Sequence, residues 1–445
     1  MPPLSEPQIA GLKRLFAVAN DAVVTSLEAA LAEDAASGGA MAAVHRMAAD
    51  EARERRVRAA VLGPVAPLCR PSSWSPVGFP PATLLLVWTA LKESAPAQVE
   101  AAVAAHAKHR VGDEPSPAVF DELCLAAAQG LRYEANAFQA ANQRLNQACK
   151  DGGALFASYL DLCPIARAAL AKLPDWVARM SGERAAAARI AYKDAVALAE
   201  DAGPQYFEIL FASLAEPWAI LRVMSAIMDH PGDKYAAASE LARFGDYILN
   251  DIDRRLSAFR ALDPNEGAES GVAAGQALQI ASMEIAEFET AIELSRDGPW
   301  GGRIHQQKKL LAQLAEARLD LISKALDAVL PLKMVRLGKK LRGLPNLRAD
   351  PDVQALKRAE GLMAFFDACR GSAGQSGYGA ARAKVAEESE ERLDQYVEDL
   401  LEMLRAEDVE SVERVHAYLE VTADLMGLAR GEKAAQIVRR RAAAA

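Results

Sequence analysis

The sequence predicts an all-α protein: an elongated array of antiparallel helices and helical bundles, with a proline-rich irregular segment near residues 63–81. Three observations predict it. Alanine, the best helix former, fills 94 of 445 positions. Aromatic residues make up only 6%, and β-branched residues are scarce, which argues against a β-sandwich or barrel. Apolar residues recur at spacings of three and four between glycine and proline breaks.

The elements follow in order. Ile9, Leu12, Phe16, Val23, Leu27 and Leu31 share one helical face, with Ser5 as N-cap and Pro7 in the first turn. A second helix is expected from Met41 to Val61. Pro64, Pro67, Pro71, Pro76, Pro80 and Pro81 then forbid a helix, and Trp74 and Phe79 among them point to a packed strap more than to a free linker. From Ala82 the pattern is helix after helix. Ser116-Pro117 reads as a cap and first-turn proline for a helix that reaches about Lys150, with an interruption at Gly130. Later helices are expected over Asp233–Ala261, Glu269–Arg296, Arg303–Leu330, Pro351–Cys369, Ala381–Arg405 and Glu407–Ala429. The expected organisation is a helical pair (1–62), the strap (63–81), a helical bundle (82–232), a long-helix bundle (233–431) and a frayed tail (432–445) carrying Arg439-Arg440-Arg441. Trp176, Trp218 and Trp300 each follow a proline closely and are expected as inter-helix anchors.

Bulk properties narrow the function classes. The formal charge is −9 and the pI about 5.4, so nucleic acid is not an expected partner. The five cysteines, Cys69, Cys124, Cys149, Cys163 and Cys369, are odd in number and form no Cys-x-x-Cys pair, as expected of buried free thiols in a reducing compartment. The N-terminal residues lack a signal-peptide pattern and no run of 18 apolar residues occurs, so a cytoplasmic location is expected.

Few residues suggest chemistry. His106 and His109 share a helical face but have no further ligand nearby in sequence. Glu413 and His416 form a single Glu-x-x-His, where carboxylate-bridged di-metal bundles need two. Asp229-His230 reverses the metal-binding His-Asp dipeptide. Asn250-Asp251 is followed by Asp253, Arg254 and Arg255, so a cation there would meet arginine. Gly374-Gln375-Ser376-Gly377 half resembles a nucleophile elbow but has no strand before it. No metal site and no cofactor is therefore expected.

Charge carries the remaining signal. Leu332–Arg348 holds six basic residues and no acid, interleaved with Leu332, Met334, Val335, Leu337, Leu341 and Leu344, while Gly338 and Gly343 weaken any helix there. Residues Glu387–Asp399 hold seven acids against Arg392. The two segments are expected to face each other or to be solvated, unless a partner takes the basic one. The functional expectation is a helical scaffold or adaptor mediating protein–protein interaction, with Lys333, Arg336, Lys339, Lys340 and Arg342 as binding residues. A peripheral protein that meets anionic lipid through 332–348 is the first alternative. An all-α enzyme whose site is assembled from distant helices is the second. Self-association is also expected, because long apolar helix faces are readily covered by a second copy.

Overall fold

The computed structural model describes residues 5–32, 39–70, 78–109, 116–228, 231–337, 340–406 and 409–445. The protein is all-α, a helical array in which the described strands form a single two-stranded hairpin. It divides into two compact units, 1–229 and 230–445.

The first unit contains α1 (Glu6–Val18), α2 (Asp21–Ala32), α3 (Gly39–Leu62), α4 (Thr83–Ser94), α5 (Pro96–Lys108), α6 (Ala118–Arg132), α7 (Gln139–Ala148), α8 (Gly152–Asp161), α9 (Cys163–Ala178), α10 (Gly182–Val196), α11 (Ala202–Ser213) and α12 (Ile220–Ile227). Ser5 and Gln8 form the capping box of α1. The expected first helix is in fact two. Asn20 Oδ1 accepts the Val23 amide at 2.8 Å, so this short polar side chain starts a new helix where periodicity alone ran through. Arg55 of α3 holds the joint, donating to the carbonyls of Phe16 and Ala19 at 2.7 and 2.9 Å and to Asp21 at 2.7 Å. It thereby satisfies the orphan acceptors that end α1. Arg167 of α9 does the same for α3, donating to Val61 O at 2.7 Å while pairing with Asp121 at 2.8 Å.

Residues 71–77 of the proline-rich segment, with Trp74, lie outside the described residues. Its described ends are packed. Ala66–Cys69 form a 3-10 turn, Phe79 N–H donates to Leu68 O at 2.9 Å, and the Phe79 ring meets Phe156 edge-on with centroids 4.9 Å apart. The expected helix from Ser116 to Lys150 breaks after Arg132, because the chain turns through Glu134 at φ 49° and Phe138 packs over Gly130. Trp176, Trp218 and Trp300 are all buried, and four of the five cysteines are buried with Cys149 half-buried.

The second unit contains α13 (Asp233–Ala236), α14 (Ala242–Ala261), α15 (Ala268–Ala291), α16 (Pro299–Leu319), α17 (Leu321–Val329), β1 (Leu332–Leu337), β2 (Lys340–Pro345), α18 (Val353–Ala368), α19 (Gly379–Arg405), α20 (Val412–Arg430) and α21 (Glu432–Ala444). Its centre is the crossing of α15 with α18. A Cβ at Gly271 would overlap the Gly361 carbonyl, and one at Gly275 would overlap Ala368, so the two backbones nearly touch. Here the small residues of the sequence set the interhelical distance directly.

A buried carboxylate organises the start of this unit. Asp233 is 2% exposed and accepts the amides of Trp300 and Gly301, each at 3.0 Å, at the N-terminus of α16. Asp233 N–H in turn donates to Glu293 O at 3.1 Å, and Glu293 N–H to Pro231 O at 3.2 Å. Gly298 has no room for a side chain because Asp233 fills that space.

Two expectations near the C-terminus change. Helix α18 starts at Val353, two residues after the expected Pro351, because Asp352 is extended and caps it, accepting Ala355 N–H at 2.7 Å. The expected frayed tail is a helix. The chain reverses at Gly431 (φ 93°), α21 lies back on α20 with Ala435 and Val438 buried, and Arg439 pairs with Glu420 and Asp424.

Candidate functional site

The basic segment forms the β-hairpin. Its antiparallel register pairs Leu332 with Pro345, Lys333 with Leu344, Met334 with Gly343, Val335 with Arg342, Arg336 with Leu341 and Leu337 with Lys340. Asn346 N–H donates to Pro331 O at 2.9 Å and closes the base. Alternation along the strands separates two faces. Lys333, Val335, Arg342 and Leu344 share one. Leu332, Met334, Arg336, Leu341 and Pro345 share the other. An isolated two-stranded ribbon is marginal, and this one is braced by α19. Arg342 donates to Asp399 at 2.5 Å, and Asp399, 3% exposed, also accepts from Gln395 at 2.8 Å.

The other face is open. Met334 is 64% exposed and Leu341 68% exposed, and Arg336 stands beside them. Gly343, opposite Met334, leaves the space that Leu332 covers, so a side chain there would meet Leu332 Cδ1 at 2.7 Å. The result is a narrow ribbon with two large apolar side chains and a guanidinium on one surface.

The five expected binding residues therefore divide. Arg342 is spent on Asp399. Lys333 and Arg336 are exposed and make no ion pair among the described residues. Lys339 lies outside the described residues, and the backbone of Lys340 is paired in β2. The acidic run on α19 is met mostly from elsewhere: Arg430 pairs with Glu390 and Asp394 at 3.2 and 2.9 Å, and Arg441 with Glu398 at 2.7 Å. Helix α19 thus draws counter-charges from α20 and α21 as well as from Arg342, while Lys333 and Arg336 stay unpaired among the described residues.

The other candidates resolve as follows. Asp251 pairs with Arg254 and, at 2.6 Å, with Arg255 Nε, so arginine occupies the space a cation would need. Asp229-His230 lies outside the described residues. Among the described residues, no group of three or more His, Cys, Asp or Glu side chains could hold a metal ion. Glu413 accepts from Ser411 at 2.9 Å at the exposed start of α20.

Sequence reasoning missed Glu284. It is fully buried on α15, 3.3 Å from Arg255 Nε, and burial pushes its carboxyl up to about 7 against the pull of Arg255 and Arg254. The folded state therefore holds a proton that the unfolded chain releases near its ordinary carboxylate range. This group's contribution to stability falls as pH rises from about 4.5 through about 7. Glu284→Gln is expected to be more stable than the native chain at pH 8 by on the order of 2–3 kcal/mol, with the gain shrinking towards pH 5. Urea unfolding at the two pH values checks this, and an equal difference at both would contradict it.

Among the described residues, no single helix is long and apolar enough to cross a membrane. The joined pair α8 and α9 has the length and composition, but it bends by 62° and carries Arg167 bonded to α3. Comparisons with protein families, curated proteins and solved structures find no match to this chain. The functional reading rests on the chemistry of its own residues.

Proposed function

We propose that this chain is a helical scaffold or adaptor protein, and that its second unit docks an acidic protein surface through the open face of the β-hairpin. The observation that carries this reading is the placement of Met334, Leu341 and Arg336 on one surface while α19 takes counter-charges from Arg430 and Arg441. Unbranched methionine adapts to irregular partner surfaces, and an apolar pair beside a guanidinium matches the composition of interface anchors. Lys333 and Arg336 would steer an acidic partner on approach. The bracing by Arg342 keeps the ribbon preformed, which lowers the entropy lost on docking.

Quantitative affinity capture with the full chain tests it. Acidic proteins retained by the native chain are expected to drop at least tenfold with Lys333→Glu/Arg336→Glu and again with Met334→Ser/Leu341→Ser. A retained set indifferent to both variants would overturn the reading. The same exposed pair favours one second reading, a ribbon resting on anionic lipid with Met334 and Leu341 in the headgroup region. Co-sedimentation with vesicles of phosphatidylcholine and phosphatidylserine, lost in the same two variants, would assign the surface to lipid instead.

A further inference from the structure

Away from the hairpin, α15, α16 and the Gly371–Tyr378 loop line an open pocket of about 270 Å³. Its parts are sorted by depth. Ser282 of α15 and Ser376 of the loop are 5% and 4% exposed, and their hydroxyl oxygens lie 2.5 Å apart. Ile285 and Leu311, both buried, supply an apolar wall. At the more exposed side Lys308 Nζ bridges both carboxylate oxygens of Glu289, at 2.7 and 2.9 Å.

The loop holds its serine firmly. Ser376 N–H donates to Ser372 O at 3.1 Å, and the next residue, Gly377, has φ 84°, a conformation that favours glycine. Ser372 Oγ shares a proton with the Tyr378 hydroxyl at 2.6 Å, and buried Tyr378 also donates to Cys369 O at 3.2 Å. Ser376 is thus placed by a bonded turn.

Two hydroxyls bring two protons, and one of them is used between Ser282 and Ser376. The second is left to face the pocket that both serines line. A guest that brings an acceptor into the pocket takes this proton. The Lys308–Glu289 pair sits where both side chains are about two-fifths exposed. Such a pair contributes little by itself and opens readily, presenting one positive and one negative group together.

We infer that this pocket binds a free α-amino acid whose short side chain ends in a hydrogen-bond acceptor. The α-carboxylate pairs with Lys308, the α-ammonium with Glu289, the aliphatic stem lies on Ile285 and Leu311, and the terminal acceptor takes the spare serine proton. A guest bearing only an anion or only a cation would break the ion pair and satisfy half of it. A volume of about 270 Å³ has room for one such molecule.

Isothermal titration of the full chain with L-asparagine and L-glutamine tests this, with butyrate and butylamine as single-charge controls. Saturable binding of at least one amino acid is expected, with both controls at least tenfold weaker. Ser376→Ala and, independently, the surface change Lys308→Met are each expected to weaken that binding at least tenfold, with the helical circular dichroism of Lys308→Met unchanged. No saturable binding by either amino acid, or binding unaltered in Lys308→Met, would overturn the inference. Neither outcome bears on the hairpin, which lies elsewhere on the unit.

Discussion

Gly271→Val is expected to destabilise the second unit by about 3–5 kcal/mol, enough to unfold a marginal unit. The reason is backbone against backbone. The first atom of any side chain at 271 would overlap the Gly361 carbonyl and crowd the Phe365 amide, and neither can move aside as a flexible side chain would. Position 361 is no freer, because a Cβ there would overlap the carbonyl of Pro264. Relief requires α15 and α18 to separate, which would open the packing around Leu278, Leu362 and Phe365, all fully buried. Gly371→Ala, where a Cβ meets nothing within 4 Å, is the matched control and should change stability by no more than about 0.5 kcal/mol. Denaturant unfolding of both variants measures the contrast. A Gly271→Val chain as stable as the control would show that this crossing is not close-packed.

The second large effect is Asp233→Ala. Both carboxylate oxygens accept buried amides at the start of α16, so truncation leaves two N–H groups without acceptors where water does not reach. At about 1–3 kcal/mol for each stranded donor, a loss of about 3–5 kcal/mol is expected. Asp233→Asn is the informative companion. It keeps one acceptor oxygen but turns an NH2 group towards the second amide, so it should recover only part of the loss. The exposed cap Asp352, bonded to Ala355 at 2.7 Å, sets the scale of an ordinary cap, and Asp352→Ala should cost about 1 kcal/mol. If Asp233→Ala costs no more than Asp352→Ala in the same urea titration, burial adds nothing to this cap.

Much of the helical architecture was legible because its causes are local. The spacing of Ile9, Leu12 and Phe16 marks the face of α1, and proline and glycine mark most breaks, although the expected Arg303–Leu330 helix divides at Asp320 into α16 and α17. Where the reading failed, a contact distant in sequence decided. Leu332–Leu337 mixes apolar and basic residues in an order that suits neither period cleanly, and only pairing with residues 340–345 makes it a strand. The tail reads as frayed by composition, yet Arg439 and Arg441 find acids 15 to 43 positions earlier. Among the described residues, only Arg342 of the basic segment meets the acidic helix; Arg430 of α20 and, after the reversal at Gly431, Arg441 of α21 bring it other positive charge. Ser282 and Ser376 are 94 residues apart, and no local pattern joins them.

The segment Pro231–Asp233 also sets where the second unit can be cut for study. Pro231 and Asp233 reach across to Glu293, Trp300 and Gly301, so the helix at 299–319 has its first turn closed by a piece of chain almost seventy positions upstream. A fragment beginning at the first long helix, Ala242, would look complete by helix count and would still lack the group that caps the start of α16. During synthesis the order is favourable: the carboxylate emerges first and waits for the amides it will receive. The useful boundary for dissecting this protein therefore lies before Pro231, set by a side chain's reach and not by the ends of the helices.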